Sequence, residues 1–249
     1  KNDVYLHDGA KITLSGALTG AAPAARITVA HIKYLPTTQV LAGTAALLNS
    51  EHGKFTVTPQ AVGSEKRMWL VNGQGKLQKP PVTINGADSD AWKKLKDAVQ
   101  AADDGDVISI DGEVLATSAS GNSGEIVVTK NITVQGNNKT TDILDANESA
   151  FAHSGKHRIF KVTSGTLTLK NLTLKGGSAE KFDASDPLAS SGGAIRLNGG
   201  SASLRNVTIS GCKAGDSAFS DAKGGGVYIK ADGTKQGIFT MEGGSITGC

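Results

Sequence analysis

A seven-residue pattern occurs three times in the second half of the chain, and it constrains the fold more than any other feature of the sequence. The copies lie at 130–136, 170–176 and 205–211, and each has a basic residue, Asn, an aliphatic residue, Thr, an aliphatic residue, one variable position and Gly. A fainter copy lies at 242–248. Strand-and-turn units that recur every 35–40 residues or so are typical of stacked repeat proteins, so the pattern predicts a solenoid.

The composition agrees with many short strands joined by tight turns. The chain has 249 residues, with 32 Gly and only 6 Pro, and aromatic residues make up 4%. The core is therefore expected to contain Val, Ile, Leu and Ala rather than large rings. The net charge is +3 with acidic and basic residues well mixed, which argues against a nucleic-acid partner.

The pattern of strands and breaks predicts two domains. Residues 1–78 read as a β-rich segment, interpreted as the terminal coils of a preceding β-helix. Residues 79–249 read as a capping helix followed by the first coils of a parallel β-helix with three short strands per coil. We expect the chain to be a piece of a longer protein, and we expect its uncapped ends to self-associate.

A single helix is predicted over 89–104, because apolar residues recur there at helical spacing. Either Ser89 or Asp88 is expected to cap it, and Trp69 is expected to lie in the core or at an end of the preceding segment. The apolar positions of the helix are Trp92, Leu95, Ala98, Val99 and Ala102.

Two polar segments, 178–191 and 213–223, are predicted to be loops that protrude from one corner of the stack. Binding residues are commonly carried by such loops. The candidate binding residues are Lys181, Phe182, Asp183, Asp186, Lys213, Asp216, Phe219 and Asp221.

No catalytic residue, cofactor or metal is predicted, although two clusters have some features of a metal site. Asp103, Asp104 and Asp106 fit a solvated helix end or, alternatively, a Ca²⁺ site built from loop oxygens. His153 and His157 have the four-residue spacing of a metal pair on a helix, but Ser-Gly at 154–155 breaks the helical pattern.

Two residue types recur at equivalent places in the pattern. Asn131, Asn171 and Asn206 each begin Asn-x-Thr, so they form either a structural side-chain ladder or glycosylation sites. Cys212 and Cys249 each follow an Ile-x-Gly sequence, so they are either reduced ladder residues or a disulfide between adjacent coils.

The second half of the chain resembles a known family. Gly-Gly-Ala-Ile at 192–195, Asn-Val-Thr-Ile at 206–209 and Gly-Gly-Val-Tyr-Ile at 225–229 resemble the repeats of polymorphic outer-membrane proteins and of autotransporter passengers, and large spirochaete surface proteins are similar. The likeness covers 83–249. The Phe-x-x-Asn motif of that family is missing, and Leu-Lys-Asn at 169–171 and Leu-Arg-Asn at 204–206 stand in its place.

The resemblance implies a right-handed parallel β-helix in an all-β protein at the cell surface, in the outer membrane or secreted. It also implies a parent anchored to a membrane, and a non-enzymatic scaffold that displays loops for adhesion to a host extracellular-matrix protein or glycan. Two alternatives remain. One is a carbohydrate-active, pectate-lyase-like enzyme that uses Asp183, Asp186 or Arg196, and the other is a structural spacer.

Overall fold

The computed structural model describes residues 3–63, 65–152, 155–179, 190–215 and 223–249. It divides into two compact units, Lys1–Pro80 and Pro81–Cys249, here called the N-terminal unit and the C-terminal unit. Strands outnumber helices in both, and the largest sheet is parallel. The predicted β-rich class with parallel pairing is thus confirmed.

The N-terminal unit combines short parallel and antiparallel pairs. Strands β1, β3 and β5 form one parallel sheet and β2 pairs with β4, whereas β6–β7 and β8–β9 are antiparallel. Its elements are β1 (Asp3–Leu6), β2 (Ile12–Thr13), β3 (Ala25–Val29), β4 (Leu41–Ala42), α1 (Ala45–Glu51), β5 (Phe55–Val57), β6 (Gln60–Val62), β7 (Glu65–Arg67), β8 (Leu70–Val71) and β9 (Leu77–Gln78).

The sequence prediction for residues 1–78 missed helix α1. Thr44 caps this helix, since its Oγ1 accepts the Leu47 N–H at 3.3 Å. Seven residues make only two turns, which is too short for a helical period to stand out from strand alternation. Trp69 lies in the core as expected: it is 3% exposed, and its ring lies 5.9 Å from that of Tyr34.

The C-terminal unit contains one α-helix, one 3₁₀ helix (Glu148–Ala150) and fifteen strands among the residues that the structure describes. They are β10 (Val82–Asn85), α2 (Ala91–Ala101), β11 (Val107–Asp111), β12 (Glu113–Leu115), β13 (Ile126–Val128), β14 (Ile132–Gln135), β15 (Ile143–Asp145), β16 (Phe160–Val162), β17 (Thr166–Lys170), β18 (Thr173–Lys175), β19 (Ser178–Ala179), β20 (Ile195–Asn198), β21 (Ser201–Ser210), β22 (Lys213–Ala214), β23 (Val227–Lys230) and β24 (Phe239–Thr247).

Thirteen of these strands stack in three parallel rows, and β19 pairs separately with β22. The first row runs β10, β11, β14, β17, β21 and β24. The second row runs β12, β15 and β18 and continues into the second halves of β21 and β24. The third row runs β13, β16, β20 and β23.

Alternate residues of every row point into one shared apolar core. Leu169 and Leu204 are opposed in the first row, Leu144 and Leu174 in the second, and Phe160 in the third faces the same cluster; all five are 0% exposed. Burial at about 25 cal/mol per Å² of apolar surface stabilises such a stack, and no single repeat could bury these side chains alone.

The register confirms three of the four sequence copies as equivalents. Lys170 lies opposite Arg205, and Arg205 lies opposite Glu242, so the copies at 170–176, 205–211 and 242–248 are stacked. The prediction is wrong for the copy at 130–136. The sequence pattern aligns Ile132 with Leu172, but in the structure Ile132 pairs with Leu167. Apolar-Thr alternation specifies a strand, but it does not specify the row to which the strand belongs.

Helix α2 lies where it was predicted, but it is shorter and is capped differently. It starts at Ala91, and Asp90 at its N-cap makes no side-chain cap bond, so the expected caps Ser89 and Asp88 are wrong. Asn122, which is 1% exposed, instead accepts the Lys93 N–H at 2.9 Å. Trp92, Leu95 and Val99 belong to the same buried cluster as the first strands of the rows, so the helix covers apolar side chains there.

Candidate functional site

The two predicted loops are rooted on stacked positions of the C-terminal unit. Strand β19 pairs in parallel with β22, so Ser178 lies opposite Lys213 and Ala179 opposite Ala214. Further along the chain, Ser191 forms a parallel bridge to Lys223. We call these six residues the loop platform. The predicted loops 178–191 and 213–223 thus begin in short strands rather than in loop, and their described ends are paired one repeat apart; residues 180–189 and 216–222 lie outside the described residues.

Lys213 is the one candidate binding residue that the structure describes. The others, Lys181, Phe182, Asp183, Asp186, Asp216, Phe219 and Asp221, lie outside the described residues. The Lys213 Nζ contacts Glu148 Oε1 at 2.6 Å, and its side chain is 58% exposed. The Lys156 Nζ lies 3.9 Å from Glu148 Oε2, so one carboxylate faces two ammonium groups beside the platform.

Glycines let the backbones meet closely at the platform. A Cβ at Gly193 would lie 2.2 Å from Lys213 O and 2.4 Å from Gly225 O, and one at Gly177 would lie 2.2 Å from Gly193 O. No side chain fits at such distances. The second glycine of Gly-Gly-Ala-Ile therefore allows the backbones of neighbouring repeats to approach closely in this structure.

Four polar groups in or beside the platform are buried without a hydrogen bond among the described residues. They are the hydroxyls of Ser178 and Ser191, which are 0% exposed, the Nε2 of His157 and the Oε2 of Glu148. Buried polar groups in folded proteins are usually paired. The sequence analysis missed both serines, and the only signal for them is their position at the loop roots.

His157 is held between two aromatic rings. Its ring centroid lies 5.3 Å from that of Trp92 and 5.7 Å from that of Phe151, and its Nδ1 is 2.9 Å from Arg158 O. Burial lowers the pKa of His157 below the ordinary value of 6.5, and nearby Lys96 acts in the same direction. His157 therefore packs as a neutral ring at neutral pH. His153, which lies four residues before it, is outside the described residues.

The outer face of the third row carries basic side chains. Lys161 lies opposite Arg196, and Arg196 lies opposite Tyr228. Glu125 Oε2 accepts a hydrogen bond from Arg158 Nη1 at 2.9 Å, and Glu125 Oε1 lies 3.7 Å from Lys161 Nζ. Arg196, named above for the enzyme alternative, is on the outer face of its strand, but it is only 2% exposed.

The recurrent asparagines have two different roles. Asn171 and Asn206 adopt left-handed φ values of 50° and 53°, and Asn206 Nδ2 donates to Asn171 Oδ1 at 3.0 Å, which confirms the predicted ladder at these two positions. Asn131 is not part of the ladder, since its Nδ2 bonds to Asp104 Oδ1 at 3.2 Å. Asn147, which the sequence analysis missed, also has a left-handed φ of 53°.

The acidic residues after α2, Asp103, Asp104 and Asp106, make hydrogen bonds and an ion pair with nearby groups. Asp104 Oδ1 accepts the Asn131 N–H at 2.7 Å, and Asp106 Oδ2 accepts the Asp103 N–H at 2.9 Å. Lys130 Nζ lies 3.7 Å from Asp103 Oδ1. Within the described ranges, no group of three or more His, Cys, Asp or Glu residues could hold a metal ion.

The N-terminal unit holds a separate cavity of about 310 Å³ that the sequence did not predict. Asp8 and Lys33 face each other in its wall at 2.7 Å, and His7 and Lys11 lie nearby. The hydrogen bond from Lys33 lowers the pKa of the Asp8 carboxyl. Asp8 and Lys33 pair with each other, so this cavity has fewer buried polar groups without a hydrogen bond than the loop platform.

Comparison of the chain with models of protein families, with curated proteins and with solved structures finds no match. Among the residues that the structure describes, neither α1 nor α2 has the length and apolar character needed to cross a membrane.

Proposed function

We propose that the C-terminal unit is a right-handed parallel β-helix whose function is to display two loops, 180–189 and 216–222, for adhesion. The observation that carries the proposal is the stacked pair of loop roots, Ser178 with Lys213 and Ser191 with Lys223. A rigid stack with loops on one side is a common way to build an extended binding face.

The three parallel rows support the β-helix part of the proposal. Each row gains one strand per repeat, and each pairing is parallel and in register, for example Phe160 opposite Ile195 and Val134 opposite Leu169. Parallel neighbours need a long crossover, and here the other two rows supply it. The handedness follows the strong preference for right-handed crossovers between parallel strands.

The loop roots lie beside charged groups of both signs. Lys156 and Lys213 contact Glu148, and Lys161 and Arg158 contact Glu125. A polar surface of this kind suits a glycan or a polar patch of a matrix protein. In line with the resemblance described above, we further propose that the protein acts at the cell surface, in the outer membrane or in the secreted fraction.

The test is binding of the purified chain to acidic glycans and extracellular-matrix proteins. In two variants, 180–189 or 216–222 is replaced by a Gly/Ser linker of the same length. A third variant with the same replacement at 231–236 is the matched control, because that turn follows β23 and lies away from the platform. We expect saturable binding that either platform replacement weakens at least tenfold and that the control leaves unchanged.

Unchanged binding in both platform variants would contradict the adhesive role of the loops. Binding to nothing in the panel by a folded chain would favour the spacer alternative. Turnover of a glycan, measured as new reducing ends, would favour the enzyme alternative, for which Asp183→Asn and Asp186→Asn are the first variants.

A further inference from the structure

We propose that Cys212 and Cys249 are a redox pair that closes an intrachain disulfide between two adjacent repeats. Both are thiols in the structure, Cys212 buried and Cys249 exposed. They end equivalent sequences, Ile-Ser-Gly-Cys at 209–212 and Ile-Thr-Gly-Cys at 246–249. The proposal adds a modification site to the unit and does not depend on its adhesive role.

The register brings the two residues opposite each other. Ile209 pairs in parallel with Ile246, and Ser210 pairs with Thr247. The Gly211 N–H then bonds to Thr247 O at 3.1 Å. Gly211 and Gly248 turn with nearly the same left-handed φ, 58° and 60°, so both chains bend alike and the cysteines stay in register.

The two side chains make the same contact with their own strands, and the Cys249 sulfur also touches the neighbouring strand. Cys212 Sγ lies 3.5 Å from Ser210 O and Cys249 Sγ lies 3.4 Å from Thr247 O, which is the same contact one repeat later. Cys249 Sγ also lies 3.4 Å from the backbone nitrogen of Cys212. Neighbouring strands are about 4.8 Å apart, within the roughly 4.4–6.8 Å that disulfides span between Cα atoms.

Gly226 leaves room beside the pair. A Cβ at Gly226 would lie 3.5 Å from Cys249 Cβ and 3.6 Å from its Sγ. A side chain there would therefore lie against Cys249.

A small disulfide such as glutathione disulfide is the oxidant. The exposed Cys249 thiolate attacks one sulfur and releases glutathione, leaving a mixed disulfide. The Cys212 thiol then loses its proton, and its sulfur attacks the Cys249 sulfur and releases the second glutathione. Two thiols thus lose two protons and two electrons, and one glutathione disulfide becomes two glutathione molecules. Burial raises the pKa of Cys212 to about 12, so the second step should accelerate as pH rises.

The test is incubation of the whole chain with glutathione disulfide, followed by intact mass and free-thiol measurements. We expect the monomer to lose two hydrogens and both free thiols, with peptide mapping joining Cys212 to Cys249. Cys249→Ser should leave Cys212 unreacted in the folded protein. Cys212→Ala should stop at one stable glutathione adduct or a disulfide-linked dimer.

The pH dependence separates this pair from an incidental surface thiol. When the mixed disulfide on Cys249 is formed first and the free glutathione disulfide is then removed, raising the pH from about 6.5 to about 8.5 should accelerate loss of the adduct, since the attacking Cys212 thiol is then more often ionised. A permanent adduct on Cys249 with Cys212 still reduced at every pH would overturn the proposal, as would a dimer as the main product at micromolar concentration.

Discussion

At the residue scale, left-handed asparagines stabilise the bends between the first and second rows. Asn171 and Asn206 both have φ near +50°, and their side chains are hydrogen-bonded across one repeat. Asn tolerates this conformation better than other non-glycine residues, because its short polar side chain can bond locally. Gly243, at φ 72°, takes the equivalent place in the next repeat.

Asn206→Ala should destabilise the C-terminal unit by about 1–2 kcal/mol, because Ala is strained at this φ and the bond to Asn171 is lost. Asn206→Gly is the matched control. It loses the same hydrogen bond but relieves the strain, so its loss should stay below about 1 kcal/mol. Urea unfolding followed by circular dichroism measures both. Equal losses in the two variants would contradict the conformational explanation.

Protonation of His157 should weaken the C-terminal unit in mild acid. Burial lowers the pKa of His157 below its unfolded value of 6.5, so the unfolded chain binds a proton more readily than the folded chain. The stabilisation is complete above pH 6.5 or so, and it is lost as pH falls through the folded-state pKa. Thermal unfolding between about pH 7.5 and 5 should show this decline.

The matched variant for this prediction is His157→Gln, which cannot titrate. Its unfolding midpoint should be lower than that of the wild type at pH 7.5, since the ring contacts with Trp92 and Phe151 are lost. The difference between the two proteins should shrink in acid. A constant difference at all pH values would show that another group causes the decline.

At the element scale, the N-terminus of α2 depends on a residue far along the chain. Asn122 accepts the Lys93 N–H, and its Nδ2 donates to Thr117 Oγ1 at 2.9 Å and lies 3.4 Å from Leu115 O. One buried amide therefore joins the capping helix to the loop that follows β12. The helix contributes Trp92 and Leu95 to the core, so its anchoring matters for the whole unit.

Asn122→Ala should destabilise the C-terminal unit by about 1–3 kcal/mol, because it leaves buried donors and acceptors unpaired. Asn137→Ala is the control: Asn137 is exposed, and a change of less than about 0.5 kcal/mol is expected. Hydrogen exchange at the amides of 91–95 should accelerate in the first variant only. Unchanged exchange there would contradict the capping role.

Two adjacent glycines in β24 should differ in their tolerance of a side chain. A Cβ at Gly244 would lie 1.9 Å from Val207 O, whereas one at Gly243 would lie no closer than 3.8 Å to Asn206 N. Gly244→Ala should therefore destabilise the pairing of β24 with β21 by more than about 2 kcal/mol. Gly243→Ala should cost only the roughly 1 kcal/mol of left-handed strain. Similar urea midpoints for the two variants would contradict the close strand approach.

At the scale of the whole molecule, each compact unit has a core of its own. Ile27 and Trp69 belong to the buried cluster of the N-terminal unit, and Leu169 belongs to that of the C-terminal unit. The two clusters have no residue in common. A change within one cluster is therefore expected to act first on the unit that contains it.

Ile27→Ala should destabilise the N-terminal unit by about 2–5 kcal/mol, since it opens a cavity at a fully buried site. Hydrogen exchange measured by mass spectrometry should accelerate at 25–29 and 55–57 and stay unchanged at 160–175. Leu169→Ala, also 0% exposed, is the reciprocal variant and should give the opposite pattern. Acceleration in both units by either variant would contradict two separate cores.

The sequence by itself determined the strand content, the capping helix, the inward alternation and the equivalence of three repeat copies. These features follow from local residue order, because alternation of apolar and polar residues in the sequence indicates a strand with one buried face. Only the tertiary structure decided that 130–136 belongs to the first row, that Asn122 caps α2, and that the loop roots are stacked. Each of these depends on partners about 30 to 35 residues away, and register between distant strands is set by collective packing that no local pattern contains.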